Sequence, residues 1–192
     1  SKVPRLILNG LTSITDEQAE SLSKVEDCLG LSGLTFITDA QAESLCQVKK
    51  LELNGLTTIT DQQAESLNEV EELFLGGLTS ITDHQAEILS KVPRLILNGL
   101  TSITDEQAES LSKVETLSLN GLTTITDQQA ESLSKVKGLA LNGLITITDE
   151  QTNSLSNLEG HLSLRGLTSI TDEQAKILSK VKYLSLHNPA NR

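Results

Sequence analysis

Apolar residues recur along this chain at a fixed period, and the stretch 48–70 shows the pattern. Val48, Leu51, Leu53, Leu56, Ile59, Ala64, Leu67 and Val70 are apolar, and the residues among them are mostly polar. Leu51-Glu52-Leu53 alternates, which predicts a short half-buried strand with Glu52 on the face opposite the two leucines. Gly55 follows and is read as the residue permitting a sharp backbone turn. Thr60-Asp61-Gln62-Gln63 then predicts a helix start: Thr60 is an N-cap, and Gln63, three residues on, completes a capping box. Asp61 falls in the first turn, where the helix dipole favours a negative charge by about 0.3–1 kcal/mol. Ala64, Leu67 and Val70 give the helix one apolar stripe.

The same strand and helix recur throughout. The turn glycines are Gly10, Gly33, Gly55, Gly77, Gly99, Gly121, Gly143 and Gly166, spaced 23, 22, 22, 22, 22, 22 and 23 residues apart. This gives eight complete units and a ninth partial one from Val181. The two extra residues fall near Asp27 and Glu159, just before a strand, where a small loop can absorb them. One unit cannot bury both its strand face and its helix stripe, so the units must stack. Stacking predicts an α/β solenoid with a parallel sheet on the concave face and short helices on the convex face. The competing reading makes Asn-Gly a type I′ hairpin turn. Its strands would hold about three residues, too short to be stable in water.

The run Val48-x-x-Leu51-x-Leu53-x-x-Leu56-x-x-Ile59-Thr60-Asp61-x-x-Ala64-x-x-Leu67 resembles a leucine-rich repeat. It is most similar to the cysteine-containing subclass, in which a strand is followed by Ile-Thr-Asp and a convex helix. Leu56 and its equivalents stand where that subclass carries Cys or Asn, and the 22-residue unit is shorter. Short units of this kind also resemble bacterial leucine-rich repeat arrays. The resemblance implies the architecture and carries over no partner.

Composition then narrows the function. Aromatic residues make up 2% of the 192-residue chain and the net charge is -11. This argues against base-stacking platforms and against a phosphate-binding footprint, so nucleic acid is not expected as a partner. No stretch approaches 18 consecutive apolar residues, so no membrane insertion is expected. The helical segments hold 19 acids and 7 bases, whereas the strand segments hold 7 acids and 8 bases. The acidity therefore belongs to the convex back, where it favours solubility.

Comparing units within the chain separates frame from surface. The inward leucine pairs scarcely change. The residue between them runs Ile7, Gly30, Glu52, Phe74, Ile96, Ser118, Ala140, Ser163, Ser185. The residue before each pair runs Arg5, Cys28, Lys50, Glu72, Arg94, Thr116, Gly138, His161, Tyr183. Strand alternation places both series on the concave face, exposed. Neutral drift at tolerant positions is one explanation. The other is a recognition surface formed by Arg5, Ile7, Lys50, Glu52, Glu72, Phe74, Arg94, Ile96, Thr116, Ser118, His161, Ser163 and Tyr183. Exposed aromatic and Arg groups anchor protein interfaces, so the mixture suits a protein or peptide ligand. Nine strands about 4.8 Å apart span roughly 38 Å, enough for an interface of about 800 Å² per partner.

Other chemistry is weakly supported. The Asp series from Asp16 to Asp172 has a dipole role at each helix start and no second oxygen-rich loop for Ca²⁺. The Asn series (Asn9, Asn54, Asn98, Asn120, Asn142) is expected to hydrogen-bond neighbouring turns. His84, His161 and His187 lie in different units without ligand spacing, and His161 near Ser163 has no acidic partner. Cys28 is expected on the concave face and Cys46 at a convex helix end, both as free thiols. No catalytic residue, metal or cofactor is expected, and no compartment is indicated. Residues 1–26 recur unchanged at 90–115, which points to recent duplication, cassette exchange or deliberate construction. The chain opens in a helix tail and Pro189 is read as stopping the array. These features suggest a fragment of a longer array, or a homodimer formed through the uncapped N-terminal end. The favoured reading is a non-catalytic recognition module. The alternatives are a spacer that assembles end to end and an engineered scaffold with no natural ligand.

Overall fold

The structure is a computed structural model and describes residues 3–186. The expectations for Ser1, Lys2, His187 and Pro189 lie outside the described residues. Strands β1 (Arg5–Ile7), β2 (Cys28–Gly30), β3 (Lys50–Glu52), β4 (Glu72–Phe74), β5 (Arg94–Ile96), β6 (Thr116–Ser118), β7 (Gly138–Ala140), β8 (His161–Leu164) and β9 (Tyr183–Leu186) form one sheet in sequence order. All eight pairings are parallel. Between them run helices α1 (Asp16–Leu22), α2 (Asp39–Leu45), α3 (Asp61–Leu67), α4 (Asp83–Leu89), α5 (Asp105–Leu111), α6 (Asp127–Leu133), α7 (Asp149–Leu155) and α8 (Asp172–Leu178). Each holds seven residues, too few to stand alone in water, so packing must hold them. Among the described residues no helix is long and apolar enough to cross a membrane.

The register is strict. Leu6, Leu29, Leu51, Leu73, Leu95, Leu117, Leu139, Leu162 and Leu184 stand side by side. Behind them Leu53, Leu56, Ala64, Leu67 and Val70 of the third coil are fully buried, as are most of their equivalents in the interior coils. Every helix has a Thr N-cap and a reciprocal capping box with its N3 glutamine, as the sequence predicts. The predicted loops are also found: five residues separate α1 from β2 and α7 from β8, against four between α2 and β3.

Three polar ladders stitch the coils. On the turns after β1, β3, β5, β6 and β7, the Asn side chain accepts from the backbone of the next coil: Asn9 Oδ1 from Ser32 N (2.9 Å), Asn54 from Gly76 (2.9 Å), Asn98 from Asn120 (3.0 Å), Asn120 from Asn142 (2.9 Å) and Asn142 from Arg165 (3.0 Å). At the helix starts the capping glutamine has a second task that local sequence does not disclose. Gln63 Nε2 donates to Ile37 O of the preceding coil (2.8 Å), and Gln107 does the same to Ile81 O (2.9 Å). Beside it the Thr hydroxyl donates to the preceding Asp, as Thr60 does to Asp39 (3.1 Å) and Thr104 to Asp83 (3.0 Å). Thr152, standing where most coils have alanine, is fully buried and returns its hydroxyl to Thr148 O (2.7 Å).

The turn glycines work differently from the expectation. No glycine among the described residues has a positive φ, and no other residue does, so neither a special turn conformation nor a type I′ hairpin is present. The requirement is proximity. A Cβ on Gly99 would lie 2.5 Å from Leu78 O and 2.6 Å from Gly76 O, inside the backbone of the preceding coil. Gly10, in the first described coil, has open space at the same place. The two glycines sit in identical local sequence, so they form an internal control. Gly99→Ala is expected to lower stability by about 2–3 kcal/mol through overpacking against main chain. Gly10→Ala, at an unobstructed surface site, should shift it by no more than about 0.5 kcal/mol. Urea unfolding of the two variants checks this; equal losses would mean that the glycine serves the turn rather than the neighbour.

Candidate functional site

Outward side chains from adjacent strands stand in register across the concave face, so chemically unlike neighbours are forced together. Lys50, Glu72 and Arg94 form one row, and Glu52, Phe74 and Ile96 the next. Lys50 Nζ lies 3.1 Å from Glu52 Oε1 and 4.6 Å from the centre of the Phe74 ring. Arg94 Nη1 lies 3.7 Å from Glu72 Oε1. Over β3 to β5 these form two neighbouring groups, Lys50 with Glu52 and the Phe74 ring, which shares that lysine with a carboxylate, and Arg94 with Glu72. Cys28 Sγ approaches Glu52 Oε1 at 3.9 Å from the side of β2.

The second half of the face carries smaller side chains. Ser118 Oγ donates to Asn98 Oδ1 (2.8 Å) and accepts from Asn120 Nδ2 (2.9 Å). Ser163 Oγ donates to Asn142 Oδ1 (2.7 Å). Both serines therefore brace the asparagine ladder. His161 Nε2 pairs with Ser185 Oγ at 3.0 Å, and Thr116, two strands away across Gly138, is exposed. Among the described residues no carboxylate is hydrogen-bonded to this His–Ser pair in the way a nucleophilic triad orients its histidine. Among the described residues no three His, Cys, Asp or Glu side chains come together to hold a metal. The Asp series is engaged instead in the Thr and Gln bonds of the convex side.

The whole of this arrangement, an open parallel sheet of one strand per coil with a helix behind each, has many counterparts among solved structures. An internalin C2 from Listeria monocytogenes superposes with a TM-score of 0.63 at 20% identity, covering 95% of this chain and 80% of that one. A chain of the Toll–Spatzle complex from Drosophila gives 0.61 at 15%, covering 82% of this chain and 22% of that one. A TLR13–ssRNA13 complex gives 0.59 at 20%, covering 89% and 30%. The fold is that of a leucine-rich repeat protein. No protein-family profile matches the sequence, and no curated protein matches it.

Within this leucine-rich repeat sheet the candidate residues divide by depth. Arg5, Ile7, Arg94, Thr116, His161 and Tyr183 are exposed, and Lys50, Glu52, Glu72, Phe74 and Ser118 are half-buried. Ile96 and Ser163 correct the expectation of exposure: they point outward but are 9% and 4% exposed. Each is flanked on both sides at strand spacing, Ile96 by Phe74 and Ser118, Ser163 by Ala140 and Ser185. The contrast with Ile7 is direct, because the same Arg-Leu-Ile at β1 has one neighbouring strand and leaves Ile7 40% exposed. Cys28 is likewise buried at 7%, although it lies on the outer face and outside the leucine core. The sequence reading passed over two further exposed apolar groups, Phe36 (62%) and Ile145 (52%), which stand on the loops between strand and helix. Each replaces a Ser or Thr of the other coils, and that substitution was the available signal.

The two thiols have different environments. Burial first, then the Glu52 carboxylate, pushes the Cys28 thiol above its ordinary value, which depresses the reactive thiolate near neutral pH. Cys46, at the end of α2, is half-exposed and donates to Glu43 O at 3.0 Å. With an aromatic disulfide reagent at about pH 8, Cys28→Ser should retain a fast reaction while Cys46→Ser reacts at least about tenfold more slowly. Equal rates would contradict the covered position of Cys28.

Proposed function

We propose that this chain is a non-catalytic recognition module that binds a protein or peptide across its concave sheet. One observation carries the reading. A nearly invariant leucine frame presents, at fixed register, a row of unlike side chains, among them the Lys50–Glu52–Phe74 group and the Arg94–Glu72 pair on the adjoining strands. An aromatic ring beside Arg and Lys is the composition of an interface anchor. The Toll–Spatzle and TLR13–ssRNA13 structures are complexes by their description, which supports recognition as the work of this fold. The second of them holds RNA, so the fold by itself does not exclude nucleic acid. For this chain the net charge of -11 and the acids interleaved with its concave bases favour a protein.

The test is capture from a lysate on immobilised protein, comparing wild type with Phe74→Lys. Phe74 lies outside the leucine core, so circular dichroism should be unchanged. A partner held by wild type should be retained at least about tenfold less by the variant, as expected for an anchor side chain. Unchanged capture, or none, would favour the spacer or scaffold readings.

A second reading concerns the N-terminal face. Val3, Ile7 and Leu11 are 48%, 40% and 39% exposed there, whereas the identical residues Leu100 and Ile96 of the internal copy are 0% and 9% exposed. Association through that face would remove this apolar surface from water, as a neighbouring coil does for the internal copy. Sedimentation velocity is then expected to show a concentration-dependent dimer that Ile7→Lys with Leu11→Lys abolishes; a monomer at all concentrations would remove this reading.

A further inference from the structure

The leucine-rich repeat sheet is not evenly covered. On β7 the outward residues shrink to Gly138 and Ala140, beside Thr116 and Ser118 of β6, while Arg94 of β5 stands on one side and His161 of β8 on the other. The result is a depression of ≈ 450 Å³ in the concave face. Its floor is not explained by packing. A Cβ on Gly138 would meet only Thr116 side-chain atoms at 3.4 Å, an ordinary contact, unlike the collision with main chain at Gly99. The fold therefore tolerates a side chain at Gly138, and its absence leaves space that the structure does not use.

Charge adds an independent constraint. The depression is lined by three basic side chains, Arg94, Lys137 and His161, and by no acidic one, in a chain of net charge -11. Arg94 leans on Glu72 at 3.7 Å and Lys137 on Glu115 at 2.8 Å. Both pairs are open to water, with Lys137 75% and Arg94 51% exposed, so either cation can turn to another anion at little cost.

We infer that this depression is a second anchor site of the concave face, beside the Phe74 group, and that its occupant is an acidic residue of an extended peptide. The carboxylate meets Arg94 and Lys137, and an adjoining aliphatic side chain fills the space above Gly138 and Ala140. The inference rests on the recognition reading above. A single carboxylate suits the site better than a polyanion, which the surrounding acids would repel along its length.

The probe is the blocked peptide Ala-Leu-Glu-Leu-Ala, titrated to about 5 mM into ¹⁵N-labelled protein, with Gln-centred and Lys-centred peptides and a ten-residue oligouridine as comparisons. Amide shifts should concentrate at Ser118, Gly138, Ala140 and His161. The Gln peptide should bind at least about fivefold more weakly, and Gly138→Thr, which fills the floor, should weaken the Glu peptide about tenfold. Absent or scattered shifts, equal binding of the Gln peptide, or preference for oligouridine would overturn the proposal. A captured partner lost by Phe74→Lys but kept by Gly138→Thr would also overturn it while leaving the recognition reading intact. Capture unaffected by either variant would remove both.

Discussion

The closest constraint in this molecule is the approach of one coil's backbone to the next at the turn after each strand. Carbonyl oxygens such as Leu78 O and Gly76 O come so near the following turn that only glycine fits at Gly99. That approach sets the pitch of the stack on the concave edge. The asparagine amides then accept from the next turn, and the glutamines repeat the link at the helix starts. With pitch fixed at both edges, the leucines between have one way to interlock. Helices of seven residues become stable members of a layer that no single coil could hold.

Fixing the pitch also separates two duties. Inward residues answer to the stack and hardly vary; outward residues answer only to lateral neighbours at strand spacing. Hence a lysine can share an aromatic ring and a carboxylate at Phe74 and Glu52, while three strands beyond Phe74 a glycine leaves the sheet bare. The fold supplies the platform, and the side chains on it decide what it can hold.

Much of this was legible in the sequence because it is local and repeated. Leu51 and Leu53 declare a strand by alternation, and Thr60 with Gln63 declares a helix start. The unread part depends on distance along the chain. Gln63 also reaches Ile37 O, 26 residues earlier, and no local window contains that bond. Alternation told which face Ile96 and Ser163 occupy but not how deeply neighbours cover them. A glycine needed for a turn and one needed for a close approach have the same letter; only the neighbouring carbonyls tell Gly55 apart from a hinge. Lys137 stands one residue before β7, outside the alternation, and so escaped notice as part of the concave surface.

Among the described residues the asparagine ladder has no side-chain acceptor at Gly76. Gly76 accepts nothing for the next turn because it has no side chain, although its own N–H is held by Asn54. Where Ser32 interrupts the series its hydroxyl still accepts from Asn54 Nδ2 at 3.1 Å. In a solenoid whose coils meet only their neighbours, tension applied along the axis passes through every seam in series. The concave edge between β4 and β5 then carries the same load with one fewer tie. Under tension the seam beside Gly76, two residues after Phe74, therefore has fewer side-chain ties among which to divide the load.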